Sequence, residues 1–213
     1  MAAQLTRRRQ RVVPPNAPGS ALGQRIVTAA RKHFFAHGLR SVTMDDLAAE
    51  LGMSKKTLYA EFPSKSDLLR AVLLDKFRSV EADLEQILQR RAANALAELQ
   101  QLLTCMQRHT EEIQPPFVRD IRRESPELFS LVEGRRRELI QRYFGRIFDE
   151  GRRENIIRND ISTEMILEIL LGAVQSIMNP AKIETLGVTP KTGYGAIITV
   201  ILEGVLTPKG RAK

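Results

Sequence analysis

Apolar residues recur at helical spacing along almost the whole chain from residue 21 onward. The first such segment covers residues 21–37 and is predicted to be a helix with one apolar face, made of Leu22, Ile26, Ala30 and Phe34. Gly38 follows as the expected end of that helix. No stretch alternates apolar and polar positions in the way that would predict a strand. The pattern therefore predicts an all-α protein.

Capping residues and helix breakers divide the remaining chain into further predicted helices. Thr43 and Ser54 are expected to cap two short helices, and Pro115 and the pair Asn179-Pro180 are expected to end two others. The predicted helices after the first cover approximately residues 43–51, 54–62, 67–91, 92–112, 117–123, 126–155, 163–178 and 190–206.

The pattern also predicts three successive segments. Residues 1–19 are rich in Arg, Pro and Gly and lack apolar periodicity, which is typical of a flexible basic arm. Residues 20–66 are predicted to form a small helical domain, and residues 67–213 a larger one. With 213 residues, of which 43% are hydrophobic, the chain has enough apolar material for a core.

Composition narrows the class of protein. Cys105 is the single cysteine, which excludes an internal disulfide and argues against a zinc cluster. No secretory signal opens the chain, and the longest apolar runs, such as residues 197–202, are too short to span a bilayer. We therefore expect a soluble, cytoplasmic protein without a membrane partner, a metal or a cofactor.

The net charge of +8 is unevenly distributed along the chain. Residues 1–70 contain 12 Lys and Arg against 5 Asp and Glu, whereas residues 71–213 contain 21 against 20. This asymmetry favours a polyanionic partner for the first third alone. Charge by itself fits a solvated surface with a basic tail equally well. The arm with Arg7–Arg11 could reach a minor groove, and a tail without a role is an equal alternative.

Residues 43–65 combine two short predicted helices with a tight turn at Gly52. Met53 follows Gly52 and can fill the space between the helices, which is the spacing of a helix-turn-helix. In the second helix Leu58 and Phe62 are four residues apart and are predicted to face the core. The alternative interpretation is a pair of solvated helices in an all-α protein.

The opposite face of the second short helix is the candidate surface for double-stranded DNA. A helix that enters the major groove with its N-terminus first brings residues 54–57 nearest the bases. Residues 43 and 65 then flank the helix, where they can contact the phosphate backbone. The candidate DNA-binding residues are Thr43, Ser54, Lys55, Lys56, Thr57, Tyr59, Ala60 and Lys65.

Residues 21–74 resemble the N-terminal domain of the tetracycline-repressor (TetR) family. The most specific part is the run Thr-Leu-Tyr-x-x-Phe-x-x-Lys-x-x-Leu-Leu, which begins at Thr57 and ends at Leu69. The other matching residues are Phe34, Gly38, Thr43, Leu47, Ala48 and Gly52. The resemblance covers about a quarter of the chain, and the remainder agrees only in helical pattern and total length.

The resemblance implies a homodimer that binds a pseudo-palindromic operator through three N-terminal helices. It also implies a larger C-terminal helical domain with a dimer interface and a pocket for a small-molecule effector, whose binding typically releases the DNA. Thr43, Tyr59 and Lys65 match the usual phosphate contacts of the family, and residues 55–57 match positions that read bases.

Two positions depart from the family pattern and leave the operator sequence open. Ala60 and Glu61 stand where bulkier or more basic residues are often found. Ala60 can offer only a methyl contact. Glu61 would repel a phosphate or accept a hydrogen bond from cytosine N4.

The C-terminal segment supplies candidates for the interface and the pocket. The two most apolar predicted helices are expected to form a four-helix bundle with a second copy, the alternative being burial within one subunit. The candidate interface residues are Met165, Ile169, Gly172, Ile197, Val200 and Ile201. A mostly apolar effector is expected among Cys105, Met106, His109, Phe117, Phe129, Tyr143, Phe144 and Ile147, although residues of this kind also form plain core.

The chain argues against an enzyme. Its three histidines and one cysteine are scattered, no Gly-rich phosphate loop precedes a helix, and no His-Glu-x-x-His spacing occurs. A DNA-binding regulator, released by a ligand, is the favoured function. A ligand-independent dimeric activator or architectural DNA-binding protein is the alternative.

Overall fold

The computed structural model describes residues 20–90 and 92–211, and the expected arm of residues 1–19 lies outside them. The described residues form eleven helices and no strand, which confirms the predicted all-α class. The helices are α1 (Ala21–His37), α2 (Met44–Glu50), α3 (Lys55–Glu61), α4 (Lys65–Arg90), α5 (Ala95–Glu111), α6 (Pro115–Glu124), α7 (Pro126–Arg153), α8 (Thr163–Ile177), α9 (Pro180–Leu186), α10 (Pro190–Val205) and α11 (Pro208–Arg211).

Side-chain caps start the first three helices. Ser20 accepts a hydrogen bond from the backbone N–H of Gly23, and Ser54 accepts one from Thr57. Thr43 and Asp46 form a complete capping box, in which each side chain accepts from the other residue's backbone N–H. These bonds satisfy amides that a helix start leaves without partners. The short Asp46 side chain thus closes a box that usually uses Glu or Gln.

The three N-terminal helices share one hydrophobic core with parts of their neighbours. Its fully buried members include Ile26, Phe34 and Leu58, and the cluster continues through α4 as far as Leu73. Phe117, Ile121 and Leu128 complete it from α6 and α7. Helix α4 therefore crosses the domain boundary expected at residue 66 without a break, and that boundary stays a prediction.

The larger core lies among the second half of α4 and helices α5, α7, α8 and α10. Helix α7 packs against α5 and α8, and α10 packs against α5 and α8. After α7 the chain turns at Asn155, which has a positive φ of 58°, and an isolated antiparallel bridge then joins Ile157 to Leu206. Within the described ranges, no helix combines the length and apolar character needed to cross a membrane.

Two helices were not predicted. Helix α9 begins directly after Asn179, whose side chain accepts from the backbone N–H of Lys182. The pair Asn179-Pro180 was expected to end a helix, yet Asn is also a favourable N-cap and Pro is favourable at the first helical position. The same two residues therefore separate α8 from α9. Helix α11 is a single turn that begins at Pro208.

Candidate DNA-binding surface and ligand cavity

The two faces of α3 differ in the way the sequence predicts. Leu58 is completely buried and Phe62, just after the helix, is 7% exposed. Lys55, Lys56, Thr57 and Ala60 are exposed, and 45% of Tyr59 is accessible to solvent. The structure thus brings the candidate residues of α3 together on one solvent-facing surface.

The lysines at the start of α3 differ in their partners. The Lys55 ammonium lies 2.5 Å from a carboxylate oxygen of Asp45 on α2, and this hydrogen bond raises the pKa of Lys55. No ion pair engages Lys56 among the residues that the structure describes. Lys56 is therefore the more available of the two for an external anion.

Thr43 and Lys65 flank α3, as expected, but both have partners within the domain. The Thr43 hydroxyl donates to the Asp46 carboxylate at 2.6 Å. The half-buried Lys65 ammonium donates to the carbonyl of Leu39 and lies 5.9 Å from the centre of the Phe34 ring. Burial lowers the pKa of Lys65. In this arrangement Lys65 ties the start of α4 to the loop between α1 and α2.

Glu61, which departs from the family pattern, has a partner at the start of α1. Its carboxylate accepts a hydrogen bond of 3.2 Å from the Ser20 hydroxyl. Ser20 is the N-cap of α1, and the N-terminal end of a helix carries partial positive charge. This hydrogen bond and the helix start give Glu61 a partner within the domain.

The C-terminal domain contains a cavity of about 200 Å³ whose wall is mostly apolar. Four of the eight predicted pocket residues line it: Met106, His109, Phe117 and Phe129. The other four, Cys105, Tyr143, Phe144 and Ile147, are buried in the larger core away from the cavity wall. The structure thus places four of the predicted residues on the cavity wall and four in the core, and their role as ligand contacts stays a prediction.

Lys76 and His109 on the cavity wall belong to a hydrogen-bonded network with Glu112 and Asp83, and the sequence analysis did not identify Lys76. The ammonium of Lys76, 6% exposed, donates to Glu112 and to Nδ1 of His109 at 2.9 Å. Nε2 of His109 lies 2.9 Å from Asp83, so the Nδ1 atom accepts and Nε2–H donates. Burial and the Lys76 charge lower the pKa of His109. This environment favours a neutral imidazole.

The same region brings three metal-binding residue types together. Atoms of Asp83, Cys105 and His109 lie within 4.8 Å of one another, although the sequence predicted no metal site. Both ring nitrogens of His109 already have hydrogen-bond partners, and Arg108 is paired with Asp83 at 2.7 Å. Burial raises the pKa of the Cys105 thiol, which disfavours the thiolate that binds metals. The contacts are those of an ion-pair network.

Helix α6 joins the cavity to the DNA-binding domain. Phe117, Val118 and Ile121 on this helix line the cavity. Asp120, between them and 2% exposed, accepts a hydrogen bond of 3.1 Å from the backbone N–H of Arg40 in the α1–α2 loop. The N–H of Gln114, just before α6, donates to the carbonyl of Phe35 in α1 at 2.9 Å.

Ion pairs reinforce this junction. The guanidinium of Arg31 on α1 donates to both carboxylate oxygens of Glu112, at 2.7 and 3.1 Å. Arg40 pairs with Glu124 at the end of α6. Residues that line the cavity are thus less than one helical turn from residues that hold α1 and the loop after it.

The predicted interface residues divide between two environments. Met165, Ile169 and Val200 are exposed, by 55%, 48% and 70% respectively, and Gly172 is exposed as well. Ile197 is 5% exposed and belongs to the chain's own core, and Ile201 is half-buried against it. Helices α8 and α10 therefore have a core-facing apolar side and a second, outward-facing apolar side.

A helix-turn-helix with an exposed basic face, joined to a helical domain with an apolar cavity, defines a DNA-binding transcriptional regulator. Comparison with known proteins agrees. Residues 26–72 match the family model for bacterial regulatory proteins of the tetR family. Residues 26–72 are thus a DNA-binding domain of the type found in TetR-family transcriptional regulators.

Two proteins that match this chain in sequence are also helix-turn-helix (HTH) regulators. The HTH-type transcriptional regulator YvaF of Bacillus subtilis is 25% identical over 143 residues, which are 66% of this chain and 73% of YvaF. The HTH-type transcriptional regulator SrpR of Pseudomonas putida is 35% identical over 60 residues, 28% of each chain. The second match is confined to a segment the size of the DNA-binding domain.

Solved structures extend the likeness to the whole fold. A TetR-family regulator from Marinobacter aquaeolei superposes with a TM-score of 0.65 at 20% identity, covering 91% of this chain and 95% of the other. The ketosteroid transcriptional regulator KstR2 of Mycobacterium tuberculosis gives a TM-score of 0.58 at 20% identity, covering 88% and 96%. The C-terminal part of the chain is therefore similar in fold to these solved regulators.

Proposed function

We propose that this regulator is a cytoplasmic homodimeric repressor that leaves a pseudo-palindromic operator when a small, mostly apolar effector enters its cavity. Each part of this proposal is supported by a separate feature of the molecule. The DNA contacts are supported by α3, the dimer by the outer side of α8 and α10, and the release by α6.

The exposed face of α3 supports reading of a DNA major groove. Its N-terminal end, with Ser54 as the cap, carries partial positive charge, and Lys55 and Lys56 add two full charges. A lysine ammonium can donate to guanine O6 and N7, and the Tyr59 hydroxyl can donate to a phosphate. Ala60 leaves space for a thymine methyl group.

The outward-facing apolar side of α8 and α10 supports a homodimer. Exposed Met165, Ile169 and Val200 would be costly to leave in water. A Cβ atom placed on Gly172 or Gly195 would meet nothing within 4 Å. A second copy can therefore approach both helices closely at these glycines. TetR-family regulators act as dimers.

The observation that carries the release mechanism is the double role of α6. The helix supplies part of the cavity wall, and its Asp120 holds the backbone of the loop that leads into the helix-turn-helix. A ligand that displaces Phe117 or Ile121 must move Asp120 as well, since all three lie on one helical turn or its neighbour. This arrangement supports the proposed coupling between cavity occupancy and the orientation of α1 and α2.

The first experiment selects bound fragments from random double-stranded DNA and measures operator affinity by fluorescence anisotropy. The variant Lys56→Ala/Tyr59→Phe should bind the operator at least about tenfold more weakly and stay a folded dimer. It removes the Lys56 ammonium, a donor to a base, and the Tyr59 hydroxyl, a donor to a phosphate. Lys182→Ala, an exposed lysine on α9, is the control and should bind normally. Unchanged affinity in the double variant would exclude α3 as the reading surface.

The second experiment separates the repressor from the ligand-independent alternative. Apolar compounds small enough for the cavity are added to the protein–operator complex, and dissociation is followed by anisotropy. Release is expected for compounds that also raise the melting temperature of the free protein. Compounds that bind the free protein without weakening the operator complex would favour the ligand-independent regulator.

A further inference from the structure

The polar groups of the cavity wall form two groups that differ in their partners. Lys76 and His109 form the first, and their hydrogen bonds to Glu112 and Asp83 satisfy them within the protein. Arg122, Glu133, Arg136 and Tyr194 line the wall as well and belong to α6, α7 and α10. The second group differs from the first because its donors are not all satisfied.

Tyr194 is a buried hydroxyl that faces the cavity without a partner. The residue is 6% exposed and lines the cavity. In the described part of the chain, no hydrogen bond is made by its hydroxyl group. Burial raises the pKa of Tyr194 above its usual value, so the group stays protonated and can donate. A hydroxyl that donates to no protein acceptor is available to an oxygen of a ligand in the cavity.

Two guanidinium groups and one carboxylate line the same cavity as this hydroxyl. Arg136 pairs with Glu133, one turn earlier on α7, and the Arg136 side chain is 23% exposed. Arg122 lies 5.0 Å above the Phe129 ring, and none of the described acidic residues forms an ion pair with it. Burial and the neighbouring Arg122 charge lower the pKa of Arg136.

The charges in this group do not balance. Glu133 is the one carboxylate among the described residues that line the cavity, and it is already paired with Arg136. The Arg122 guanidinium is exposed to solvent and forms no ion pair with the described acidic residues, so its positive charge is available to a ligand at the cavity wall. The wall therefore offers a site for one negative charge.

We propose that Arg122, Arg136 and Tyr194 bind the carboxylate of an effector whose remainder is apolar. Guanidinium groups suit a carboxylate because their N–H donors match its two oxygens, and the Tyr194 hydroxyl supplies a further donor. The apolar wall receives the rest of the molecule. This inference rests on the proposed function, since it names the effector's chemical class, and it gives α6 a charged contact through Arg122.

The size of the cavity limits the effector. Its volume of about 200 Å³ lies below the roughly 300–1,000 Å³ of typical ligand pockets. An acid with a short hydrocarbon chain is therefore the appropriate probe. Octanoate, 1-octanol and octylamine share a chain length and differ in the charge of the head group.

The test measures binding of these three compounds to the full chain without DNA, by isothermal titration calorimetry at neutral pH. Octanoate is expected to bind at least about tenfold more tightly than 1-octanol, because only octanoate forms charge-assisted hydrogen bonds. Octylamine is expected to bind weakest, since it would face two guanidinium groups. Equal binding of octanoate and octanol, preferred binding of octylamine, or no binding of any of the three would overturn the proposal.

Variants assign the contacts to individual residues. Tyr194→Phe and Arg122→Gln should each weaken octanoate binding several-fold and leave octanol binding unchanged. Arg123→Gln is the matched control, because Arg123 is exposed like its neighbour Arg122 on α6 but does not line the cavity. Equal losses for octanoate and octanol in Tyr194→Phe would indicate a general packing defect and contradict a head-group role.

Operator release is measured separately, so the two proposals can fail independently. If octanoate binds as described but leaves operator affinity unchanged, the carboxylate site stands and ligand release fails. If an uncharged apolar compound releases the operator while octanoate shows no preference, ligand release stands and the carboxylate site fails.

Discussion

The Asp120 carboxylate on α6 accepts a hydrogen bond of 3.1 Å from the backbone N–H of Arg40. The contact joins the cavity helix to the loop between α1 and α2, across 80 residues of sequence. Space for it exists because Gly38 has no side chain, since a Cβ atom there would lie 2.5 Å from the same carboxylate. The contact thus depends on the Asp120 carboxylate and on the absence of a side chain at Gly38.

Replacing Asp120 should loosen this junction. Asp120→Asn retains the shape of the side chain and loses its charge, so the hydrogen bonds from the backbone of the loop weaken. We expect a loss of about 1–2 kcal/mol in the free energy of unfolding, measured by urea titration. Asp160→Asn is the control, because Asp160 is exposed and pairs with Arg158 on the surface. Equal losses in both variants would contradict a special role for Asp120.

The same variant gives a pH signature. Burial alone would raise the pKa of Asp120, but hydrogen bonds from Arg40 and Arg119 outweigh it and lower the pKa overall. A lowered pKa in the folded state stabilises the protein above the unfolded pKa of about 3.9, and this stabilisation is lost as the pH falls through the folded pKa. The difference in melting temperature between the wild type and Asp120→Asn should therefore narrow below about pH 4. A constant difference would show that the Asp120 charge is not involved.

Two glycines with positive φ should respond differently to alanine. Gly38 has φ 84° and ψ 176°, a region that suits glycine almost exclusively, and it faces Asp120 and Pro116 closely. Gly52 has φ 64°, and a Cβ atom there would meet nothing within 4 Å. We expect Gly38→Ala to cost at least about 3 kcal/mol, from strain and the clash together, and Gly52→Ala about 1 kcal/mol. Urea unfolding of both variants checks this, and equal costs would exclude the clash.

The ion pair between Lys55 and Asp45 should restrain DNA binding. Asp45→Asn frees the Lys55 ammonium and removes a negative charge next to the proposed interface. Operator affinity at low salt should rise, and the slope of log K against log salt should steepen by about 1 to 2, one further phosphate contact per subunit. The Asp160→Asn protein should keep the wild-type slope. An unchanged slope in Asp45→Asn would place Lys55 away from phosphate.

The outer side of α8 and α10 should carry the subunit contact. Val200→Glu puts a charge on an apolar residue that is 70% exposed, and we expect monomers in sedimentation analysis and loss of operator binding. Gln101→Glu, an exposed position on α5, should stay dimeric. A dimeric Val200→Glu protein would exclude this surface.

Ile197 provides a contrasting case on the same helix. The side chain is 5% exposed and packs in the chain's own core. Ile197→Ala should therefore lower the free energy of unfolding by about 2–5 kcal/mol without changing the subunit contact. Dissociation of a fully stable Ile197→Ala protein would instead place Ile197 at the interface.

The sequence was informative where local chemistry decides the structure. Thr43 and Ser54 cap helices as predicted, because a side-chain oxygen and the first amides of a helix are only a few residues apart. The faces of α3 follow from the spacing of Leu58 and Phe62. Helix α9 was missed because Asn179-Pro180 was interpreted only as the end of the preceding helix, although the same pair also favours the start of a new one.

The cavity was harder to predict from the sequence because its wall depends on contacts between residues that are distant in the chain. Lys76 is buried by contacts with residues 33 and 36 positions later, and no local pattern predicts a buried lysine. Phe144 and Met106 are equally apolar, yet the first packs in the core and the second faces the cavity. On α8, apolar residues occur on both sides, so periodicity could not separate Ile169 outside from Leu170 inside.

The double role of α6 in the cavity wall and at the DNA-binding domain also implies that operator binding changes the affinity for the effector. If an effector lowers operator affinity, the operator must lower effector affinity by the same factor. The reason is that the free-energy changes around the closed cycle of the four binding states sum to zero. Effector binding to the operator complex is then weaker than binding to the free protein. The effector concentration that reduces operator occupancy to one half therefore rises with the affinity of the regulator for that operator. One regulator can thus respond at different effector concentrations at different operators.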